Sequence, residues 1–408
     1  MNKRKIINDP VYGFLTIDDE IIYDVVTHPY FQRQRRIKQL GLTCLVYPGA
    51  THTRFGHMLG ALNLMQRAID VLKVKGVDIT PEEALGVKLA ILLHDIGHGP
   101  FSHTSEYMLV DVHHETFTSL YMHRLNESLD GRLSLAIEIF EDTYKKHFLH
   151  QLVSSQLDMD RLDYLSRDSF YTGVSEGIVG TERIINMLNV KDDELVVDEK
   201  GIYSVEKFII SRRLMYWQVY MHKTVIAADN LLLGILRRAR ELAEKGIPLG
   251  GPKSLLQFLE HRYTLQDFEK NPQLLDDFAM VDDTDVTCAI KGWMGHDDFV
   301  LRTLSYALIN RELSSVKILD DSYDGKILEA QRERVKQLYG ISDDEVSYFV
   351  NTGELKNHAY DFNDKEIKVL YKDGRCKSIS EASDQLDRRF LEKTVTKHYI
   401  YYPKQQIK

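Results

Sequence analysis

The most informative stretch of the chain is residues 90–102, with the sequence Ala90-Ile91-Leu92-Leu93-His94-Asp95-Ile96-Gly97-His98-Gly99-Pro100-Phe101-Ser102. An apolar run ends in an adjacent histidine and aspartate, and glycine and proline then interrupt it. Ionisable groups that follow a buried run must be paired or coordinated, because burying them alone costs free energy. His94 and Asp95 therefore predict a metal site at the end of a helix.

The helix that carries this pair has a clear beginning. Thr80-Pro81-Glu82-Glu83 is a capping box with proline at the first helical position, and it predicts a helix from Thr80 to about Ile96. Hydrophobic periodicity predicts further helices over 29–41, 54–76, 113–129, 132–145, 148–168, 181–189, 205–244, 325–339 and 379–391.

Few segments have the pattern of strands. The sequence predicts a hairpin within 11–26 with its turn at 16–20, a strand over 43–47, a ribbon of 195–198 with 201–204, and a strand over 366–371. We expect a mainly α protein with small β-hairpins. A helical domain would span 1–315, with its motifs in about 28–240, and a smaller α+β domain would span 316–408.

Composition limits the classes of function. The net charge of −9 over 408 residues argues against a general nucleic-acid-binding protein, which needs a basic field. Cys44, Cys288 and Cys376 lie far apart, which excludes a disulfide framework and a cysteine zinc site. No signal-like start and no run of about 18 apolar residues is found, so we expect a cytoplasmic protein without a membrane partner.

Candidate partners for His94 and Asp95 lie upstream and downstream. Nine of the 16 histidines fall between His28 and His123, and His57 is the best upstream candidate for a ligand. Downstream, Asp160, Tyr164 and Asp168 follow one another at intervals of four, so they share one face of a helix. A divalent ion with mixed nitrogen and oxygen ligands needs about four to six of them.

Four ordered motifs resemble the deoxynucleoside triphosphate triphosphohydrolase branch of the HD superfamily of metal-dependent phosphohydrolases. The motifs are FQRQRRIKQLG at 31–41, YPGATHTRFGH at 47–57, HDIGHGPFSH at 94–103 and DMDRLDYLSRD at 158–168. The resemblance implies an HD-domain helical core, a divalent metal ion (iron, manganese, zinc or magnesium) and a homo-oligomer. The metal ligands that it implies are His57, His94, Asp95 and Asp160.

The resemblance also implies roles in catalysis. His114 would protonate the leaving oxygen, with neighbouring His113 as the alternative, and histidine suits this role because its pKa lies near neutral pH. Glu106 stands where the triphosphohydrolases have an aspartate that orients the catalytic histidine. His98 would belong to both the catalytic and the substrate-binding residues, and His103 would contact phosphate.

The remaining implied residues bind the substrate. Arginines suit phosphate because their guanidinium groups make bidentate contacts. The implied phosphate ligands are Arg54, Arg161 and Arg212. The sugar and base would meet Gln39, Leu40, Tyr164 and Asp168, and Tyr220 would close over the nucleotide from the same helix face as Arg212.

A nucleotide activator is a further implication, and the sequence leaves it open. In activator-dependent members a basic helix holds a guanine nucleotide through an aspartate, a glutamine and an arginine. Gln32 and Arg35 are present, but Thr27 replaces the aspartate and accepts guanine hydrogens poorly.

The function that these features imply is metal-dependent hydrolysis of deoxynucleoside triphosphates to deoxynucleoside and inorganic triphosphate. Two alternatives stay open. The first is an HD phosphohydrolase that acts on another nucleotide or on a phosphomonoester. The second is a nucleotide-binding regulator with a weak or silent site, which Thr27 and Glu106 leave open.

Overall fold

A computed structural model describes residues 5–319, 325–358, 360, 366–386 and 388–404. Over these residues the protein is mainly helical, as predicted. Parts of the predicted C-terminal domain lie outside the described residues, namely 320–324, 359, 361–365, 387 and 405–408.

The helices before residue 310 form the body that carries the sequence motifs. They are α1 (Glu20–Thr27), α2 (Pro29–Arg33), α3 (Arg54–Val74), α4 (Pro81–Leu93), α5 (His114–Ser128), α6 (Ser134–Phe140), α7 (His147–Val153), α8 (Met159–Thr172), α9 (Thr181–Met187), α10 (Ile202–Met215), α11 (Lys223–Glu244), α12 (Lys253–Glu260), α13 (Leu265–Lys270), α14 (Gln273–Ala279), α15 (Asp283–Trp293) and α16 (Phe299–Ile309). Later in the chain come α17 (Gly325–Tyr339), α18 (Asp343–Val346), α19 (Ile379–Ala382) and α20 (Arg388–Glu392).

The strands form small sheets at the edges of the helical body. They are β1 (Lys5–Asp9), β2 (Gly13–Ile17), β3 (Leu188–Lys191), β4 (Glu194–Asp198), β5 (Ser315–Leu319), β6 (Asn351–His358), β7 (Lys368–Leu370), β8 (Cys376–Ser378) and β9 (Thr394–Tyr402). The strand orders are β1-β2, β3-β4-β7-β8 and β5-β9-β6, and the β4–β7 pair is parallel. The second sheet therefore joins the C-terminal part to the hairpin at 188–198. A domain boundary between 315 and 316 stays a prediction.

Helix α4 leads into the His94-Asp95 pair, and its predicted capping box is confirmed. The Thr80 hydroxyl accepts from the Glu83 N–H at 3.2 Å, and the Thr80 N–H donates to the Glu83 carboxylate at 2.9 Å. After Glu83 the helix is apolar except at Lys88, as expected for one packed against α3, α6 and α7. It ends at Leu93, with His94 as its C-cap.

The turn after α4 is set by a close approach of two backbones. A Cβ at Gly97 would overlap the His114 carbonyl and the Thr118 N–H of α5, so only glycine fits there. The Gly97 N–H donates to the Thr118 hydroxyl at 3.1 Å. This contact holds the loop after α4 against the first turn of α5, which begins at His114.

Three strand predictions were wrong for local reasons. The N-terminal hairpin pairs 5–9 with 13–17, because the Asp9 carboxylate accepts from the N–H groups of Val11 and Tyr12 at 2.9 Å and closes an earlier turn. Residues 43–47 do not form a strand, since Gly41–Leu45 is a 3-10 turn. Strand β4 pairs with β3 rather than with 201–204, because Asp192 and Asp193 adopt left-handed conformations in the connecting turn.

Several predicted helices are shorter or divided. The prediction over 148–168 divides into α7 and α8, because Asp158 caps α8 and accepts from the Arg161 N–H at 2.7 Å. The prediction over 205–244 divides into α10, a π-helical turn at Tyr216–Tyr220 and α11, with a bend of 58°. The predicted helix at 29–41 is reduced to α2 and a 3-10 turn, and the one at 132–145 is reduced to α6. The predicted helix at 379–391 is replaced by the two short helices α19 and α20.

No single helix in the described part of the chain is long and apolar enough to cross a bilayer. The segments 199–220 and 223–244 satisfy the criteria of length and composition only when they are taken together as a bent pair.

Candidate metal centre and nucleotide cavity

Four side chains from three helix ends meet at one point. His57 lies in the first turn of α3, His94 and Asp95 directly follow the last residue of α4, and Asp160 lies in the first turn of α8. His57 Nε2 lies 3.3 Å from His94 Nε2 and 3.1 Å from Asp160 Oδ1, and Asp95 Oδ2 lies 3.5 Å from His57 Nε2. The structure therefore brings together all four predicted metal ligands.

The chemistry of these groups fits a divalent cation. His57 Nδ1 bonds to Asp163 Oδ2 at 2.7 Å, and His94 Nδ1 bonds to the Ile91 carbonyl at 2.6 Å. Both rings therefore turn Nε2 toward the same place, where one cation could bind both nitrogens once neither carries a proton there. Burial lowers the pKa of His57, but Asp160 and Asp163 outweigh it and raise that pKa to about 10. The centre thus favours positive charge.

A buried ion-pair network holds His57 in this orientation. Arg167 donates to both oxygens of Asp163, at 2.9 and 3.1 Å, and to Asp9 at 2.9 Å. A Cβ at Gly60 would overlap Asp163 and Arg167, so the network also needs glycine on α3. Burial raises the pKa of Asp163, but the charge of Arg167 and the bond to His57 lower it overall.

A second cluster contains three histidines from the loop after α4 and from α5. The rings of His98 and His114 stack with their centroids 4.0 Å apart, and His103 lies 5.1 Å from His114. Glu106 Oε1 bonds to His114 Nδ1 at 2.7 Å and to the His114 N–H at 3.1 Å. The longer side chain of glutamate therefore reaches the histidine that it would orient.

His113 and His114 occupy different environments. His113 is 41% exposed in its side chain, and its Nδ1 accepts from the Glu115 N–H at 3.4 Å to cap α5. His114 is 17% exposed and lines the cavity beside the metal ligands. This placement favours His114 as the acid.

One cavity of about 430 Å³ connects the two clusters with the predicted substrate residues. Its wall includes the predicted residues Gln39, Leu40, Arg54, His94, Asp95, His98, His103, His114, Asp160, Tyr164, Asp168 and Tyr220. His57 and Glu106 lie outside this wall and touch residues within it.

The three predicted phosphate arginines are placed differently. Arg54 is buried in the cavity wall, where it forms a close ion pair with Asp95 and donates to the Ser102 hydroxyl at 2.8 Å. Arg161 and Arg212 do not line the cavity, and they lie near the cavity tyrosines Tyr164 and Tyr216. Within the described chain, Arg161 Nη1 and Arg212 Nε are buried without a hydrogen-bond partner. Buried donors of this kind are usually satisfied by an ordered water or a bound ion.

The opposite part of the cavity carries hydroxyl and carboxylate groups. The Tyr220 hydroxyl donates to Asp168 Oδ2 at 2.7 Å, and His52 Nε2 bonds to Asp168 Oδ1 at 2.8 Å. Tyr164 packs edge-on against Tyr220, with 6.4 Å between the ring centroids. Gln39 Oε1 is buried and finds no partner among the described residues.

Sequence reasoning missed Asp163, Arg167 and His52. Asp163 is three residues after Asp160 and four before Arg167, and this spacing could have indicated a second carboxylate beneath the metal centre. His52 lies in the quoted motif at 47–57, and its bond to Asp168 joins two motifs that are far apart in the chain.

The predicted activator residues lie on one surface. Arg35 donates to Gln32 Oε1 at 2.9 Å, and its guanidinium group lies 3.5 Å from the centre of the Phe55 ring. Gln32 Nε2 donates to the Val26 carbonyl at 2.6 Å, and the Thr27 hydroxyl donates to carbonyls of its own helix. Activator binding stays a prediction.

The chain contains a second His-Asp pair, His296-Asp297, which lies just before α16. Asp298 caps α16, where its carboxylate accepts from the Leu301 N–H at 2.8 Å.

Comparison with known proteins supports the family assignment. The HD domain model matches residues 54–168, and the model of an HD associated region matches residues 179–245. A crystal structure of a phosphohydrolase from Bacteroides thetaiotaomicron superposes with a TM-score of 0.95 at 50% identity, over 98% of this chain and 100% of that one. The uncharacterized protein YwfO of Bacillus subtilis is 33% identical over 100% of this chain and 94% of its own length.

Relatives with a named activity are more distant. The deoxynucleoside triphosphate triphosphohydrolase SAMHD1 of Homo sapiens is 27% identical over 60% of this chain, and its Dictyostelium discoideum homolog is 29% identical over 66%. The matches span 46% and 56% of these two proteins, or about half of their length. These findings show that the chain belongs to the HD-domain family of phosphohydrolases.

Proposed function

We propose that the protein hydrolyses deoxynucleoside triphosphates to deoxynucleoside and inorganic triphosphate. The observation that carries this proposal is the single cavity of about 430 Å³, which is lined by metal ligands and histidines as well as by the group of Tyr164, Asp168 and Tyr220. A small anion would need only the first set of residues. A nucleotide has a charged part and a sugar, and it would use both sets.

His57, His94, Asp95 and Asp160 would hold a divalent cation, which supplies Lewis acidity toward a phosphoryl oxygen when it is bound. Arg54 orients Asp95 through their ion pair, and its buried charge faces the same cavity. His98 Nε2 lies 3.4 Å from Asp95 Oδ1. Burial lowers the pKa of His98 far below its usual value, and the charge of Arg54 lowers it further, so the ring binds as a neutral imidazole.

His114 would donate the proton to the departing 5′ oxygen of the deoxynucleoside when water attacks the α-phosphorus. Glu106 holds the Nδ1–H of His114 and leaves Nε2 to face the cavity. Burial raises the pKa of Glu106, but bonds to His103 and His114 lower it far below its usual range, so Glu106 stays a carboxylate. A carboxylate there stabilises the protonated imidazole.

Asp168 would accept from the 3′-hydroxyl of the sugar. Each of its oxygens already has one donor, from His52 and from Tyr220, and a carboxylate oxygen can accept a second. Tyr164 would pack against the sugar from the wall of the same cavity.

The experiment is a product-resolved screen of the four deoxynucleoside triphosphates with manganese, iron, zinc or magnesium. Each reaction is run with and without a second nucleotide, because Gln32 and Arg35 leave an activator open. We expect equal amounts of deoxynucleoside and inorganic triphosphate. Release of orthophosphate or pyrophosphate would instead support another HD phosphohydrolase activity. Tight nucleotide binding without any turnover would support a regulator.

A further inference from the structure

An acidic side chain in the cavity wall has no role in the proposed hydrolysis. Asp229 lies on α11, and its Oδ1 accepts from the Thr104 hydroxyl at 3.0 Å. Burial raises the pKa of Asp229 to about 7, and the bond to Thr104 lowers it only in part. In the described chain this carboxyl forms no ion pair. A half-buried carboxylate in a cavity without a cationic partner is costly unless it is protonated or a ligand satisfies it.

The surroundings of Asp229 form a distinct part of the cavity. Gly41 approaches closely, since a Cβ there would lie 3.7 Å from the Thr104 hydroxyl oxygen and 3.3 Å from the Phe101 carbonyl oxygen. Val225, one turn before Asp229, also lines the cavity, as does Leu40. We call Leu40, Gly41, Thr104, Val225 and Asp229 the base wall.

The base wall has the composition of a site for a flat heterocycle. Leu40 and Val225 offer apolar contact, while the carboxyl of Asp229 supplies a polar group of fixed position. With one donor bound at Oδ1, the carboxylate keeps Oδ2 as a free acceptor. The metal ligands and histidines would take the phosphates, and Asp168 would take the sugar, so the base is the part of the nucleotide left for this wall.

We propose that Asp229, positioned by Thr104, recognises the nucleobase by accepting a hydrogen bond from an exocyclic amino group. Adenine and cytosine carry such a group on the base edge where guanine and thymine present a carbonyl oxygen. A carboxylate next to a carbonyl oxygen leaves two acceptors facing each other. The enzyme should therefore discriminate against guanine and thymine. This inference rests on the proposed function, because it assumes a deoxynucleotide in the cavity.

The test compares wild type with Asp229→Asn, whose amide can donate to the thymine carbonyl. The measured quantity is kcat/KM for dATP and dCTP relative to dGTP and dTTP, at about pH 8.5, where the carboxyl is ionised. We expect wild type to prefer adenine and cytosine by roughly ten- to hundredfold, the range for a hydrogen bond to a charged group. Asp229→Asn should lose that preference. Asp70→Asn, the same change at an exposed helical position, should keep it.

Two results would overturn the inference. One is a wild-type enzyme without base preference, and the other is an Asp229→Asn variant whose activity falls equally for all four substrates, since that marks a structural role. If Asp229→Asn does not fold, Thr104→Val is used instead, because it removes the positioning hydroxyl and keeps the shape of the side chain. It should weaken the preference, and an unchanged preference would count against the inference.

Failure of the hydrolysis itself would be visible separately. If wild type turns over none of the four substrates, the dissociation constants of the same four triphosphates are measured in the presence of Mn²⁺. A preference for adenine and cytosine that Asp229→Asn abolishes would support base recognition even though the proposed reaction had failed. Equal affinity for all four would overturn it.

Discussion

Replacing Asp163 by asparagine should damage the metal centre without removing any ligand. The Asp163 carboxylate accepts from His57 Nδ1 at 2.7 Å and from Arg167 at 2.9 and 3.1 Å. In the variant, the amide oxygen would stay with the guanidinium group, which only donates, so the amide NH₂ would face His57. The imidazole would then have to accept at Nδ1 and carry its proton on Nε2. A protonated Nε2 cannot ligate a cation.

The size of the effect follows from the position of Asp163 in the site. Loss of a partner that orients a metal-binding histidine costs about ten- to hundredfold in metal affinity, or about 1.4–2.7 kcal/mol. The variant also leaves Arg167, which is 1% exposed, with Asp9 as its remaining carboxylate partner among the described residues. Breaking a buried ion pair costs about 3–5 kcal/mol when a charge is left unpaired. Because Arg167 keeps its bond to Asp9, we expect a smaller loss of stability here.

The assay is calorimetric titration of metal-free protein with Mn²⁺, together with the metal content of the purified variant. Asp192→Asn is the matched control, because Asp192 is exposed in the β3–β4 turn and asparagine tolerates its left-handed conformation. An Asp163→Asn protein that is folded and binds Mn²⁺ within twofold of wild type would refute the reasoning about the His57 tautomer.

Three further predictions concern other parts of the molecule. His114→Ala should lower turnover by about 10²–10⁴-fold, whereas the turnover of His113→Ala should stay within about tenfold of wild type. Turnover is measured as triphosphate release at equal metal content. The reverse order of the two variants would make His113 the acid. Thr80→Ala should reduce the free energy of unfolding, measured in urea, by about 0.5–2 kcal/mol. Activity per folded molecule should stay unchanged, because Thr80 caps α4 far from the cavity wall. An unchanged free energy of unfolding would contradict the role of the capping box. Mn²⁺ at a hundredfold excess over its dissociation constant should stabilise the protein by about 2.7 kcal/mol. His57→Ala should abolish this stabilisation, measured as the shift of melting temperature on adding Mn²⁺. An equal shift in the variant would place the ion elsewhere.

Local signals in the sequence predicted the elements that carry the metal ligands. The box Thr80–Glu83 satisfies backbone groups of its own helix, so its effect does not depend on the rest of the protein. The same is true of Asp298 at the start of α16. Errors arose where two local patterns compete. The apolar pattern across 205–244 is continuous and gives no sign of the break before α11. His222 stabilises that break, because its Nδ1 accepts from the Thr224 N–H at 3.2 Å.

The sequence by itself determined the kind of chemistry, because His57, His94-Asp95 and Asp160 occur in ordered motifs that the HD family shares. Tertiary structure decided how these groups are oriented and what surrounds them. Asp163 fixes His57 from 106 residues away, and Thr104 meets Asp229 across 125 residues. Such contacts depend on how α3, α8 and α11 pack, and hydrophobic periodicity predicts which helix face is buried but not which residue it meets.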